Sequence, residues 1–304
     1  MKLADLSFDA YQRQVSNRGI CIHTGPFIYS IKSKIPSVYE SLWQLYRDYP
    51  CGDDKGFADF HIDIRRPYNL RRWYHPKVYF FFDDHSPFQP LPLNDAYPLL
   101  EWGMNWCVAN FTHRYLMIHA AVCEKNGRAV IMPAPPGSGK STLCAALSLR
   151  GWRLLSDELT LIDLKEKCVV PVPRPVSLKN ESIDVIRQFE PSAFINRAFT
   201  NTNKGTVAHM RTSIDSIDRA DEVATPAWVI LPAYTPGSDC VLEANNRARS
   251  FMWLAENSFN YSVLGRDGYT GVGDLLEQCD CYQLTYSRLD EAIAELDHLA
   301  EQYA

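Results

Sequence analysis

Apolar residues gather early in the chain into two strand-like runs, Phe27–Ile31 and Val78–Phe82, rich in β-branched and aromatic side chains. Between them Val38, Leu42 and Leu45 recur at helical spacing behind Pro36 and Ser37, which predicts a helix that starts there. Pro87, Pro90, Pro92 and Pro98 then exclude a central strand or an unbroken helix and mark a boundary near 85–98. From about residue 112 the pattern changes to strand, loop, helix, strand, the order of a parallel sheet with crossover helices. Leu116–Val122 predicts one strand, Asn126-Gly127 a hairpin turn and Arg128–Met132 a second strand. Ser141–Arg150 predicts a helix with Leu143 and Leu147 on one face, ended by Gly151 in a left-handed cap, and Trp152–Leu155 begins the next strand. Near the end, Ile293, Leu296 and Leu299 predict a packing helix.

Composition narrows the class. The 304 residues, 46% hydrophobic and 22% charged, suit a globular chain of one large or two modest domains, read as 1–100 and 101–304. A formal charge of −5 removes the electrostatic footprint of nonspecific nucleic-acid binding. Asp5 and Asp9 interrupt the first residues, so no signal peptide is expected. The most apolar stretch, 102–123, is broken by Asn105, Asn110, His113 and Arg114, too polar to cross a bilayer unassisted. The expectation is a soluble, cytoplasmic protein with neither nucleic acid nor membrane as partner. Nine cysteines lack the paired short spacings of a zinc site, and Cys279-Asp280-Cys281 alternates like a strand, so buried thiols are expected.

The chemistry concentrates after the second strand. Ala134-Pro135-Pro136-Gly137-Ser138-Gly139-Lys140-Ser141 lies between an apolar strand and a helix, the context a phosphate-binding loop requires. Glycines let successive N–H groups point at an anion, the helix start adds partial positive charge, and Lys140 can reach terminal phosphates while Ser141 holds magnesium. Ala134 stands where the general pattern has Gly, and two prolines remove early donors. Gly137, Ser138, Gly139, Lys140, Ser141 and Thr142 keep theirs. Seventeen residues after Lys140, Asp157 and Glu158 follow a strand, where Asp157 can take a proton from an attacking hydroxyl and Glu158 can join the metal shell or orient a partner. His119 borders the same strands and can orient the base.

His119-Ala-Ala-Val, Pro136–Leu143 and Arg150–Glu158 together resemble the HPr kinase/phosphorylase family. Asn257–Tyr261 with Leu264-Gly265, and Cys281–Tyr286, are similar to its HPr kinase-related kinase A branch. The resemblance implies an α/β P-loop kinase domain of the HPr kinase/PEP carboxykinase type, a mixed central sheet with flanking helices. A smaller N-terminal α+β domain would serve recognition or oligomerisation. It further implies His119 and Lys140 as active-site residues, Asp157 as proton acceptor, Ser141 as magnesium ligand, ATP as donor and a homo-oligomer. The family's Glu-x-Arg-Gly-Leu-Gly segment is absent, which argues against phosphorolysis. In its region stand Arg174, Lys179 and Glu181, with Glu181 a replacement metal ligand and Lys179 a phosphate contact. Lys204, His209 and Arg211 have a composition suited to gripping phosphate. The implied activity is transfer of the γ-phosphoryl group to a hydroxyl, Ser on a peptide or small protein. A small-metabolite kinase and a non-catalytic ATP-binding module stay open beside it.

Overall fold

A computed structural model describes residues 1–52, 57–135 and 137–302. Ser7 caps α1 (Phe8–Asn17), its side chain accepting from the Ala10 N–H, and Tyr11 and Val15 turn inward. β1 (Ile20–Thr24) and β2 (Phe27–Ser33) bury every second residue. α2 (Pro36–Leu45) begins with proline at its first position, where a missing N–H costs nothing, and buries Val38, Leu42 and Leu45 as the spacing predicts. β3 (Cys51–Gly52), β4 (Phe60–Arg65), β5 (Lys77–Phe82) and β6 (Leu91–Pro92) complete a sheet ordered β3-β1-β2-β4-β5-β6.

The proline-rich stretch ends in α3 (Ala96–Phe111), whose first turn tolerates Pro98 because the N–H there has no helical partner. Gly103 lets α3 lie against the sheet, since a Cβ there would stand 1.9 Å from Phe80 Cε2. Residues of α1, α2, the first sheet and α3 share one buried cluster with Tyr115, Met117, Leu159, Leu161 and Phe199. α3 therefore reaches the part of the molecule that carries the candidate chemistry.

Beyond it the chain forms β7 (Tyr115–Ile118), β8 (Ala120–Lys125), β9 (Arg128–Pro133), α4 (Lys140–Leu149), β10 (Arg153–Ser156), β11 (Thr160–Asp163) and β12 (Val169–Val170). β13 (Val176–Lys179), α5 (Glu181–Phe189), β14 (Phe199–Thr202), β15 (Gly205–Met210), α6 (Ile214–Asp218) and β16 (Thr225–Tyr234) follow. β17 (Val241–Ala244), α7 (Arg247–Glu256), α8 (Tyr261–Leu264), α9 (Arg266–Gln278), β18 (Asp280–Tyr286) and α10 (Leu289–Glu301) complete the order. The central sheet runs β10-β8-β9-β16-β18-β17 and is mixed: β9, β16 and β18 are parallel, while β8 and β17 oppose their neighbours. In β9, Val130 and Met132 pack toward α4 and α10 while Ala129 and Ile131 pack toward α9, so this strand is apolar at successive positions. Asn126 and Gly127, both at positive φ, make the β8–β9 turn, and Gly151 at φ +91° follows α4. Six of the nine cysteines, Cys51, Cys107, Cys123, Cys144, Cys279 and Cys281, are buried. Among the described residues no helix is long and apolar enough to cross a membrane.

Two expectations need correction. The run Leu116–Val122 is not one strand: it breaks at His119, with β7 pairing β11 in a three-stranded sheet and β8 joining the central one. Apolar residues on both sides of the break hide it, and the His119 N–H leaves the ladders to bond the Asn257 carbonyl at 2.7 Å. The strand after α4 is also not the parallel neighbour of β9, because antiparallel β8 lies between β9 and β10.

Candidate active site

That topology puts three pieces of chemistry on one edge of the central sheet. β9 and β10 run the same way on either side of β8, so their carboxyl ends and the amino end of β8 coincide. The loop into α4 leaves β9 there, Asp157 and Glu158 leave β10 there, and His119 precedes β8 there.

The loop is tied down from two further strands. Gly137 and Gly139 adopt φ of +87° and +88°, the left-handed region glycine enters without strain. The Tyr234 N–H donates to the Ser138 carbonyl at 3.0 Å and the Tyr286 hydroxyl to the Gly139 carbonyl at 3.3 Å, anchoring the loop to the ends of β16 and β18. A Cβ on Gly139 would stand 2.5 Å from that hydroxyl. Ser141 and Thr142 are half-buried in the first turn of α4, whose N–H groups lack intrahelical partners as at any helix start. Pro136 lies outside the described residues.

Lys140 is 8% exposed and its Nζ is buried without a hydrogen-bond partner. Burial pushes the ammonium's pKa down, with the charges of Asp157 and Glu158 opposing. Asp157 is 6% exposed: Oδ2 accepts the Ser177 N–H at 3.0 Å, and Oδ1 has no partner. Burial and the neighbouring Glu158 charge raise its pKa, against the pull of Lys140. Glu158 behaves oppositely. Burial would raise it, yet Lys179 and Lys204 outweigh burial and hold it at about 2. Its Oε1 takes the Lys179 ammonium at 3.2 Å and its Oε2 the Asn105 amide at 2.8 Å. His119, half-buried with its ring 5.7 Å from Phe259, is lowered to about 4 by burial and then by Lys140, so its imidazole is neutral at pH 7.

Glu181 is exposed in the first turn of α5, two residues beyond the Lys179 that grips Glu158. Among the described residues no group of three or more His, Cys, Asp or Glu side chains is arranged as a metal cage. The oxygen donors of Ser141 and the Asp157–Glu158 pair are the hard kind magnesium takes, and it takes few of them from protein.

Lys204, His209 and Arg211 do not act together. Lys204 stands over the Trp102 ring and acts on Glu158, His209 is buried, and Arg211 donates to the Gln44 carbonyl. Arg247 and Arg249 are exposed at the start of α7. Sequence reasoning missed Asn105, Arg174 as a wall residue, Ser177 and Asn260. Asn260 fixes β7 by accepting the Met117 N–H and donating to the Tyr115 carbonyl, within the Asn257–Tyr261 motif that did carry a signal.

No protein-family model matches the chain, and no curated protein sequence matches it. Among solved structures it is similar, at 12% identity and a TM-score of 0.26, to the Hpr(Ser) kinase/phosphatase from Coxiella burnetii, across 61% of this chain and 98% of that one.

Proposed function

We propose that the protein is an ATP- and magnesium-dependent kinase that transfers the γ-phosphoryl group to a hydroxyl, Ser on a peptide or small protein. One observation carries the reading: a buried ammonium, Lys140, and a buried carboxylate oxygen, Asp157 Oδ1, both lack hydrogen-bond partners beside a glycine-shaped helix start. A bound triphosphate would supply the anion that Lys140 lacks, and an acceptor hydroxyl the proton donor that Asp157 lacks.

In this reading the backbone N–H groups of Gly137 and of Gly139 to Thr142 cradle the phosphates while the Ser138 N–H, bonded to the Pro135 carbonyl at 3.3 Å, holds the loop's shape; Lys140 neutralises the terminal charge, and Asp157 receives the acceptor's proton. Magnesium, when bound, would offset phosphate charge, with Ser141 and Glu158 as its protein ligands and Glu181 a further candidate. Neutral His119 orients groups at the sheet edge without adding charge. Residues 1–100 recognise the acceptor or join copies of the chain. Incubating the full chain with labelled ATP and candidate acceptors tests the assignment. Asp157→Asn should keep ATP affinity and lose transfer by roughly 10²–10⁴-fold, the range of a general base. Transfer at the wild-type rate would remove Asp157 from the chemistry.

A further inference from the structure

Between β4 and β5 the chain crosses residues 66–76, and this loop is unlike the rest of the surface. Tyr68, Leu70, Trp73 and Tyr74 are 86%, 80%, 73% and 70% exposed, four large apolar side chains close together in the chain. A single exposed apolar side chain is ordinary, but a contiguous group marks a contact surface. Charge sets the loop apart as well. From Ile64 to Phe82 the sequence has four arginines and one lysine and no carboxylate, in a chain whose net charge is −5.

The display is built by hydrogen bonds. The Asn69 side chain accepts the Arg71 N–H at 3.0 Å and opens a single helical turn, Leu70–Arg72. The Trp73 and Tyr74 N–H groups then donate to the Leu70 carbonyl at 3.1 and 3.0 Å. Leu70, Trp73 and Tyr74 therefore stand at i, i+3 and i+4, on one face of the turn, and that face is left to solvent. Arginines flank it. Arg65 is tied to Asp63 at 3.3 Å and lies over the Phe81 ring, whereas among the described residues Arg66, Arg71 and Arg72 make no ion pair.

Three kinds of occupant suit a basic and aromatic surface, and the geometry separates them. A two-fold contact with a second copy would set these arginines against their own counterparts, and like charges repel. A single-stranded nucleic acid would stack its bases on open ring faces. Here the Arg72 guanidinium already lies over the Trp73 ring at 5.9 Å, the His75 ring stands at 85° to Tyr74, and Leu70 has no ring to offer. A bilayer surface fits each feature. Trp and Tyr seat an apolar ring among the headgroups with a polar tip toward water, and Leu reaches the acyl boundary. Arginine lays its stem along apolar surface and keeps its charge at the lipid phosphates.

We propose that loop 66–76 docks the protein reversibly on an anionic phospholipid surface, with Leu70, Trp73 and Tyr74 entering the interface and Arg66, Arg71 and Arg72 meeting the headgroup phosphates. Shallow insertion or charge alone holds a protein weakly, and this loop supplies both. The contact asks for no crossing helix, and among the described residues there is none. It departs from the expectation of no membrane partner, which rests on crossing segments alone. The net negative charge of the chain repels an anionic surface, so the loop also sets which side faces the lipid. The proposal stands apart from the phosphoryl-transfer reading and needs no nucleotide.

Flotation of the full chain with vesicles of equal parts phosphatidylglycerol and phosphatidylcholine, beside vesicles of phosphatidylcholine alone, tests it without ATP. The expected result is binding to the anionic vesicles, weaker by about tenfold or more on the neutral ones and weakened by added salt. Trp73 is exposed while the other tryptophans are buried or half-buried, so brominated acyl chains should quench its fluorescence. Arg71→Gln together with Arg72→Gln should lower the partition coefficient by roughly tenfold or more, and Trp73→Ser several-fold, both with unchanged melting. No binding to the anionic vesicles, or binding that neither variant weakens, overturns the proposal. So would tighter binding of oligouridylate than of vesicles, or a dimer that Trp73→Ser dissolves, since these give the loop to a nucleic acid or to a second copy.

Discussion

Two buried charge clusters lie side by side in this molecule and are built on opposite terms. In the first, Glu101 receives hydrogen bonds from Tyr46, Tyr97 and Arg174, and Arg174 is held in turn by Asn105 and the Glu101 carbonyl. Burial alone would raise Glu101, yet Arg174, His209 and the Tyr97 hydrogen bond hold it below the usual carboxylate range. In the second, Lys140 and Asp157 are buried to a similar degree, but each has an atom without a partner and burial drives each toward its neutral form. Partnered burial keeps charges in place and braces structure. Unpartnered burial leaves a site that a ligand can relieve.

The contrast is open to test, and the largest effect belongs to the partnered side. Arg174→Leu strands the Glu101 carboxylate and should destabilise the fold by about 3–5 kcal/mol, read from urea unfolding at unchanged slope. A loss below about 1 kcal/mol would mean the pair braces nothing. Gly139→Ala should cost about 1–3 kcal/mol, because it places a Cβ at φ +88° against the Tyr286 hydroxyl, and it should weaken ATP binding as well. Unaltered melting and affinity would show that the loop has no fixed shape. The smallest change has the opposite sign. Asp157→Asn can still accept the Ser177 N–H. Because the folded-state pKa of Asp157 is raised, its ionisation costs stability above that pKa, so Asn should melt higher at neutral pH. The advantage should fade as pH falls through the raised folded-state pKa and be gone below about 3, where the carboxyl is protonated in both states. A lower melting temperature at pH 7 would mean that Asp157 is partnered after all.

Local chemistry made part of this legible. Asn126-Gly127, the helix opened at Gly139 and closed before Gly151, and the spacing of Val38, Leu42 and Leu45 all signal within a few residues, and they stand where that signal put them. The break at His119 escaped because Ile118 and Ala120 are apolar on both sides, and only the distant Asn257 and Asn260 pull the backbone out of line. Asn105 and Trp102 escaped for another reason. Each sits mid-helix in an apolar run, and its meaning comes from Glu158 and Lys204, more than fifty residues away in the chain. Arg174, flanked by two prolines, reads as a surface loop until α3 packs over it.

Calorimetric titration of ATP with magnesium into the full chain, wild type beside Lys140→Ala, reaches the centre of the account. Saturable binding at one site, at least tenfold weaker in the variant with its fold intact, is the predicted result. No saturable heat from the wild type, or equal affinity in both proteins, would contradict it.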